Sequence, residues 1–328
     1  MDFFKLISDL EKVDPEVYER LDTRRRVFRY APGLGKALSA AALPAFMGML
    51  FNKAYGQGSA TTLPAPVADV LNLALQLEYL EYHFYATGLS SGSLISAANR
   101  PAITAVRNDE SGHIKVLRGA LNTQAFSSTD PTAAAFDYTA GNRFSNVFTD
   151  AAVFYAVAQS FEDLGVRAYK GVAPKLLTNK TLLETALRIH SVEARHAAHI
   201  RTLRRGLHAG VEGPAAAQTP AQLSNLPQRP KSWVSGTDAG GPSAPFTAAI
   251  YGAGTPAIGT ASQIFFPAES NTLQTGNETL PSSTSTTPPV IDSAAATESF
   301  DEGLNETKVK DIALFFRSGQ GASLGLFQ

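Results

Sequence analysis

Two short motifs put a carboxylate and an imidazole three residues apart: Glu110-Ser111-Gly112-His113 and Glu193-Ala194-Arg195-His196. On a helix, residues at that spacing project from one face, so each E-x-x-H sets Glu and His side by side. A single match describes a solvated surface pair as readily as a site. Here the motif recurs with company. Glu78 lies in LEYLEYHFY with Tyr85 seven residues on, and Glu162 lies in FEDLGVRAY with Tyr169 seven residues on. Glu78 precedes Glu110 by 32 residues and Glu162 precedes Glu193 by 31. The chain therefore carries an internal repeat, each half with one Glu, one Tyr and one E-x-x-H at matching heights.

The surroundings of these residues define their chemistry. Glu78 sits among Leu75, Leu77 and Leu80, and Glu162 follows Phe161 in AAVFYAVAQSF, so both carboxylates fall on apolar stretches. Four carboxylates meeting in a core would repel one another and lose their hydration. Two divalent cations cancel the four charges, with carboxylates bridging, one imidazole completing each ion, and positions left open for water or oxygen species. The sequence has no cysteine, which removes disulfides, thiolate zinc, iron–sulfur clusters and cysteine nucleophiles, and leaves carboxylate, imidazole and water as ligands. An oxygen-rich set of this kind accepts iron or manganese.

Nearby residues rank lower. Glu81 is an alternative to Glu78, but the repeat sets it opposite Gly165. His190 and His199 extend the second motif to H-x-x-E-x-x-H-x-x-H, yet Arg107 and Val116 stand at the equivalent places of the first half, so both histidines read as solvated or supporting groups. His83 reads as a surface or packing residue. Tyr85 and Tyr169 either donate hydrogen bonds to the ligand carboxylates or simply fill the core.

Helices must carry these residues. Apolar periodicity predicts a first over 67 to 89, a second over 101 to 122 with Asn99 as its cap and Pro101 in its first turn, and a third over 148 to 172. A fourth over 181 to 208 opens on Thr181-Leu182-Leu183-Glu184, a capping-box pattern. Short links join the first to the second and the third to the fourth, as antiparallel neighbours require. Between the second and third lie about 25 residues carrying Phe126, Phe136, Tyr138 and Phe144, enough chain to run the length of a bundle and be pinned by its aromatics. The fold class expected is all-α: a four-helix bundle over 67 to 210 with one long crossover.

The flanks differ in character. Residues 1 to 58 hold a mixed-charge, helix-prone segment ending in Arg24-Arg25-Arg26-Val27-Phe28-Arg29, then an apolar run from Ala31 to Phe51 whose only charge is Lys36. This looks like a twin-arginine export signal, although Arg29 and Pro44 depart from the pattern and no A-x-A cleavage site follows. The alternative is an N-terminal helix that docks on the protein or a membrane. Residues 211 to 328 form a loop-rich extension, poor in charge and rich in Pro, Gly, Ser and Thr, with room for a β-hairpin. It ends in an amphipathic helix over 305 to 317 that Asn305 can cap.

At the level of these phrases the chain resembles the ferritin-like superfamily, and within it the ferritin-like domain family that includes desiccation- and stress-related proteins. LNLALQLEYLEYHFY and AVAQSFEDLGVRAYKGVAPKLL are similar to that family's first and third helices, and SFDEGLNETKVKDIALFF to its terminal helix. The resemblance implies two metal ions, one held by Glu78, Glu110 and His113 and the other by Glu162, Glu193 and His196, with Glu110 and Glu193 bridging. It implies redox work on peroxide, oxygen or iron, and small oxygen species or metal ions as partners. The alternative is a non-catalytic protective or surface-binding protein whose metal site is structural or vestigial. With 28 basic against 29 acidic residues there is no surplus of positive charge for nucleic acid. A signal at the N-terminus implies export to the periplasm, its absence a cytoplasmic protein. Membrane contact is expected only through the N-terminal apolar segment, and a homo-oligomer is compatible with the pattern.

Overall fold

A computed structural model describes residues 62–208, 242–255, 266–274, 278–279 and 301–328. The export-type segment, and the remainder of the loop-rich extension, lie outside the described residues. Four long helices dominate: α1 (Ala65–Ser90), α2 (Arg100–Leu121), α3 (Ala151–Val172) and α4 (Lys180–His208). Pairs α1/α2 and α3/α4 pack as hairpins, and contacts of α1 with α3 and of α2 with α4 close the bundle. The expected all-α architecture with one long crossover is the one observed. No described helix is long and apolar enough to cross a membrane.

Local chemistry sets the helix ends. Asp150 caps α3, its Oδ1 accepting from the amides of Ala152 (2.8 Å) and Val153 (3.3 Å), which satisfies donors the helix itself cannot. At α4 the cap is Asn179, whose Oδ1 accepts from Leu182 N at 3.1 Å. The capping box expected at Thr181 is therefore displaced: Thr181 lies inside the helix, and Glu184 instead pairs with Arg188 one turn on, at 2.7 Å. Asn99 precedes α2 but makes no capping bond, and Pro101 alone marks that start.

The crossover is pinned as its aromatics suggested. Phe136, Tyr138 and Phe144 are buried, and Tyr138 Oη donates to the carbonyl of Leu80 on α1 (2.8 Å). The C-terminal part of the extension then packs over the crossover. Helix α6 (Glu306–Ala313) is capped by Asn305, whose Oδ1 accepts from Lys308 N (2.8 Å), and Phe316 beyond it stacks on Phe144. Between the bundle and α6, the described extension holds α5 (Ala248–Tyr251) and a two-residue antiparallel ladder of β1 (Leu273–Gln274) with β2 (Glu278–Thr279); α7 (Gly319–Ser323) follows α6.

The repeat reaches beyond the helices. One residue after Glu78, Tyr79 donates to Asp130 of the crossover (2.5 Å), and Arg118 from α2 contacts both, at 2.7 and 2.8 Å. One residue after Glu162, Asp163 accepts from Tyr251 of the extension (2.9 Å) and pairs with Arg201 from α4. Arg118 and Arg201 each stand eight residues past the motif Glu, so the two Tyr–Asp–Arg groups are equivalent, with Tyr and Asp exchanged between helix and returning strap. The next residues agree: His83 meets the carbonyl of Pro131 at 2.9 Å, and its counterpart Arg167 donates to Gly252 O at 3.0 Å. Residues around 130 and around 251 are thus the same clamp in the two halves. Arg167, wholly buried, also donates to Glu302 O (2.6 Å), Pro267 O (3.3 Å) and Ile250 O, and pairs with Glu269 (3.1 Å). One guanidinium, with its five fixed donors, ties three separate pieces of the extension to α3.

Candidate metal centre

All six expected ligand residues meet inside the bundle. Glu78 comes from α1, Glu110 and His113 from α2, Glu162 from α3, and Glu193 and His196 from α4. The four carboxylates are fully buried and the imidazoles nearly so, at 6% and 5% exposure. Two groups form in which one ligand atom from each residue lies within 4.8 Å of the others: Glu78, Glu110, His113 and Glu193, and Glu110, Glu162, Glu193 and His196. Glu110 and Glu193 belong to both.

Both imidazoles point inward through Nδ1. His113 Nδ1 lies 3.0 Å from Glu78 Oε2, 2.9 Å from Glu110 Oε2 and 3.2 Å from Glu193 Oε1. His196 Nδ1 lies 3.0 Å from Glu110 Oε1 and 3.3 Å from Glu162 Oε2. Glu110 thus offers one oxygen to each imidazole, the geometry of a bridge. The outward nitrogen of His196, Nε2, faces Asp109 at 3.2 Å, which fixes the ring's orientation. The tyrosines cross between hairpins: Tyr85 of α1 donates to Glu162 of α3, and Tyr169 of α3 donates to Glu78 of α1. Both tyrosines, buried in the core, therefore also hydrogen-bond to carboxylates of the cluster.

The electrostatics are those of a cluster short of positive charge. Burial pushes Glu78 up to about 7, although His113 opposes it. Burial, then the neighbouring carboxylates, raise Glu193 and Glu81 well above the usual range, and burial raises Glu162 against the pull of His196. Burial acts on Glu110 in the same sense, but His196 and His113 outweigh it and hold this carboxylate low. Burial would lower both imidazoles, and yet Glu78, Glu110 and Glu193 raise His113, while Glu110 and Glu162 raise His196. Without metal, protons on the imidazoles and on some carboxylates supply the missing charge. Burial and the facing carboxylates keep Tyr85 and Tyr169 as neutral donors.

Proton sharing leaves the cluster incompletely satisfied. Glu110 Oε1, Glu162 Oε2, both oxygens of Glu193 and His196 Nδ1 are buried without a well-formed hydrogen bond. Each is an electron-pair donor within the cluster, and the single N–H that each Nδ1 can carry cannot serve two or three carboxylate oxygens. Cations at these places would satisfy every one of them, so the donor set fits bound metal.

The lower-ranked residues separate. His83 stacks on Tyr79 and His190 Nδ1 meets the carbonyl of Val166 at 3.0 Å, so both are packing residues. His199 is half-buried and stands outside both ligand groups. Glu81, ranked below Glu78, is 97% buried beside the cluster. Asp109 escaped notice because a lone Asp before a motif Glu has no partner in the second half, where Val192 stands.

Residues 67–206 match the family model described as a ferritin-like domain. That segment, which includes the whole site, belongs to the ferritin-like superfamily. No curated protein and no solved structure matches the chain.

Proposed function

We propose that the chain is a dimetal-carboxylate protein whose work is redox chemistry on peroxide, dioxygen or iron in oxidative or desiccation stress. The observation that carries this reading is the pair of buried ligand groups sharing Glu110 and Glu193, with five donor atoms left unsatisfied at their centre. Glu78 and His113 would hold one iron or manganese ion, Glu162 and His196 the other, and Glu110 and Glu193 both. Two adjacent ions would supply exchangeable electrons and open coordination positions to a small oxygen species.

This chain's own residues supply the rest. Tyr85 and Tyr169 orient Glu162 and Glu78 from the opposite hairpin, and Asp109 orients His196. A narrow apolar pocket between α1 and α3, lined by Val70, Leu73, Ala74, Leu77, Ala168, Tyr169 and Val172, ends against the tyrosine that holds Glu78. With no cysteine in these 328 residues, no thiolate-bound iron within the chain can feed the site electrons. Peroxide disproportionation, which needs no donor, or oxidation of ferrous iron, which brings its own electron, suits such a site best.

The test is turnover by the manganese- and iron-loaded forms: peroxide decomposition or ferrous oxidation that disappears in Glu110→Ala supports the reading. The near-complete enclosure of the ligands favours one second reading, a structural metal in a protective or surface-binding protein. Metal-loaded protein with a raised melting temperature and no turnover would establish that instead. We also propose export of the folded protein to the periplasm, on the strength of Arg24, Arg25 and the apolar run after them. Retention of an Arg24→Lys/Arg25→Lys variant in the cytoplasm, with the native sequence periplasmic, is the expected result.

A further inference from the structure

The two tyrosines that hold carboxylates of the cluster have different surroundings. Among the described residues Tyr169 has no aromatic ring beside it, and it borders the apolar pocket instead. Tyr85 stands at the head of a file of rings. Its centroid is 5.4 Å from that of Phe84, Phe84 is 5.4 Å from Tyr138, Tyr138 is 5.9 Å from Phe136, and Phe136 is 6.0 Å from His83. His83 in turn lies 6.4 Å from Tyr79, on which it stacks, and 5.0 Å from Tyr82. The file begins inside the bundle, passes to the crossover at Tyr138 and Phe136, and returns to α1 at a half-exposed residue, Tyr82.

Packing explains rings in contact, but not what sits at the two ends. Tyr85 donates its hydroxyl to Glu162. Tyr79 donates its own to Asp130 at 2.5 Å, a side chain 67% exposed to solvent, and accepts from Arg118 Nε at 2.7 Å. Tyr138, between them, donates only to the carbonyl of Leu80, which cannot take up a proton. A phenol that gives up an electron also sheds its proton. The carboxylates therefore make Tyr85 and Tyr79 places where an electron vacancy can rest, and Tyr138 a stage through which it passes.

We propose that this file of rings carries electrons, one at a time, from the surface at Tyr79 and Tyr82 to the metal centre. The inference rests on the dimetal reading above, with peroxide as the oxidant and a soluble one-electron reductant as the donor. Tyr85 gives an electron to the oxidised centre and its hydroxyl proton to Glu162. An electron drawn from Tyr79 through Tyr138 restores Tyr85, Glu162 returning the proton, while Tyr79 passes its proton to Asp130. The reductant then refills Tyr79 and Asp130 gives the proton back, so each cycle moves one electron inward and leaves the file unchanged. Two such cycles and two protons from solvent convert one peroxide to two waters, a reaction that disproportionation does not include.

Peroxide added to the metal-loaded full chain in the presence of a nitroso spin trap, with adducts located by tandem mass spectrometry, tests this. Metal is kept at concentrations that saturate each variant. The wild type is expected to form adducts at Tyr79 or Tyr82, and ascorbate is expected to suppress them while being consumed. Tyr85→Phe and Tyr138→Phe, the second remote from every ligand, should lower both the adducts and ascorbate consumption to the level of the chelator-stripped chain. Adducts in both variants equal to the wild type would show oxidation from bulk solvent and overturn the path. Metal-loaded wild type without adducts at either tyrosine would overturn it also, and leave the dimetal reading intact. A wild type that binds no metal would overturn both.

Discussion

Removing metal from this protein should give a fold that weakens as pH rises through neutrality. In the metal-free cluster the folded state holds protons that the unfolded chain has released. Glu78 shows the size of the effect: an ordinary value of 4.5 rises to about 7 on burial. An acid with a raised folded pKa costs nothing at pH values below 4.5, and its cost grows until pH passes 7. At about 1.4 kcal/mol per unit, the full cost is on the order of 3 kcal/mol, most of it accruing between pH 5 and 8. Glu162, Glu193 and Glu81 are raised and act in the same sense. His113 and His196 are raised also, so the stability they contribute is present below 6.5 and lost as pH passes their folded values. Glu110 is lowered and acts only below 4.5. Burial lowers His83, His190 and His199, which oppose the trend, but their contribution is complete a little above 6.5. Three kcal/mol corresponds to roughly 6–12 °C in melting temperature for a domain of this size. Thermal melts of chelator-treated protein from pH 5 to 8 should fall by at least that amount, and melts of the metal-loaded protein should not, because bound cations replace the protons. An apo melting temperature that stays level or climbs between pH 6.5 and 8 would refute the reasoning.

Tyr85→Phe and Tyr169→Phe remove the hydrogen bonds to Glu162 and Glu78, and each should lower metal affinity by about 10–100-fold in a competition titration with the helical spectrum unchanged. Arg167→Met leaves Glu269 and several extension carbonyls buried without their donor, and should cost about 3–5 kcal/mol in denaturant unfolding while exposing the extension to limited proteolysis. Gly171→Ala would put a Cβ 1.8 Å from Leu304 O, and should cost about 1–3 kcal/mol and loosen the segment at 301–304, seen as faster amide exchange there.

Much of this architecture was legible because the ligand helices are long and their constraints repeat. Apolar periodicity locates each of the four to within about three residues, and the spacing of Glu78, Glu110, Glu162 and Glu193 sets their matching heights in the bundle. Asn305 was readable as a cap for a similar reason: its bond is local. The contacts that escaped were long-range or asymmetric. Nothing near Arg167 in sequence signals that its partners stand 83 to 135 residues away. The exchange of Tyr and Asp between Tyr79/Asp130 and Tyr251/Asp163 hides a symmetric clamp from any residue-by-residue comparison. Symmetry ranked Glu81 below Glu78, and Glu81 stands outside both ligand groups, facing the place where Gly165 has no side chain. At α4 both Asn179 and Thr181 carry a side chain competent to cap, and it is Asn179 that accepts from Leu182 N.

The central claim is that six side chains in this bundle hold two metal ions. Elemental analysis of the purified chain after reconstitution with Mn²⁺ or Fe²⁺ measures it most directly. About two ions per chain are predicted, falling to a trace in Glu110→Ala/Glu193→Ala, which loses both shared carboxylates. A wild-type chain with only a trace of metal, or a double variant that keeps its full complement, would contradict it.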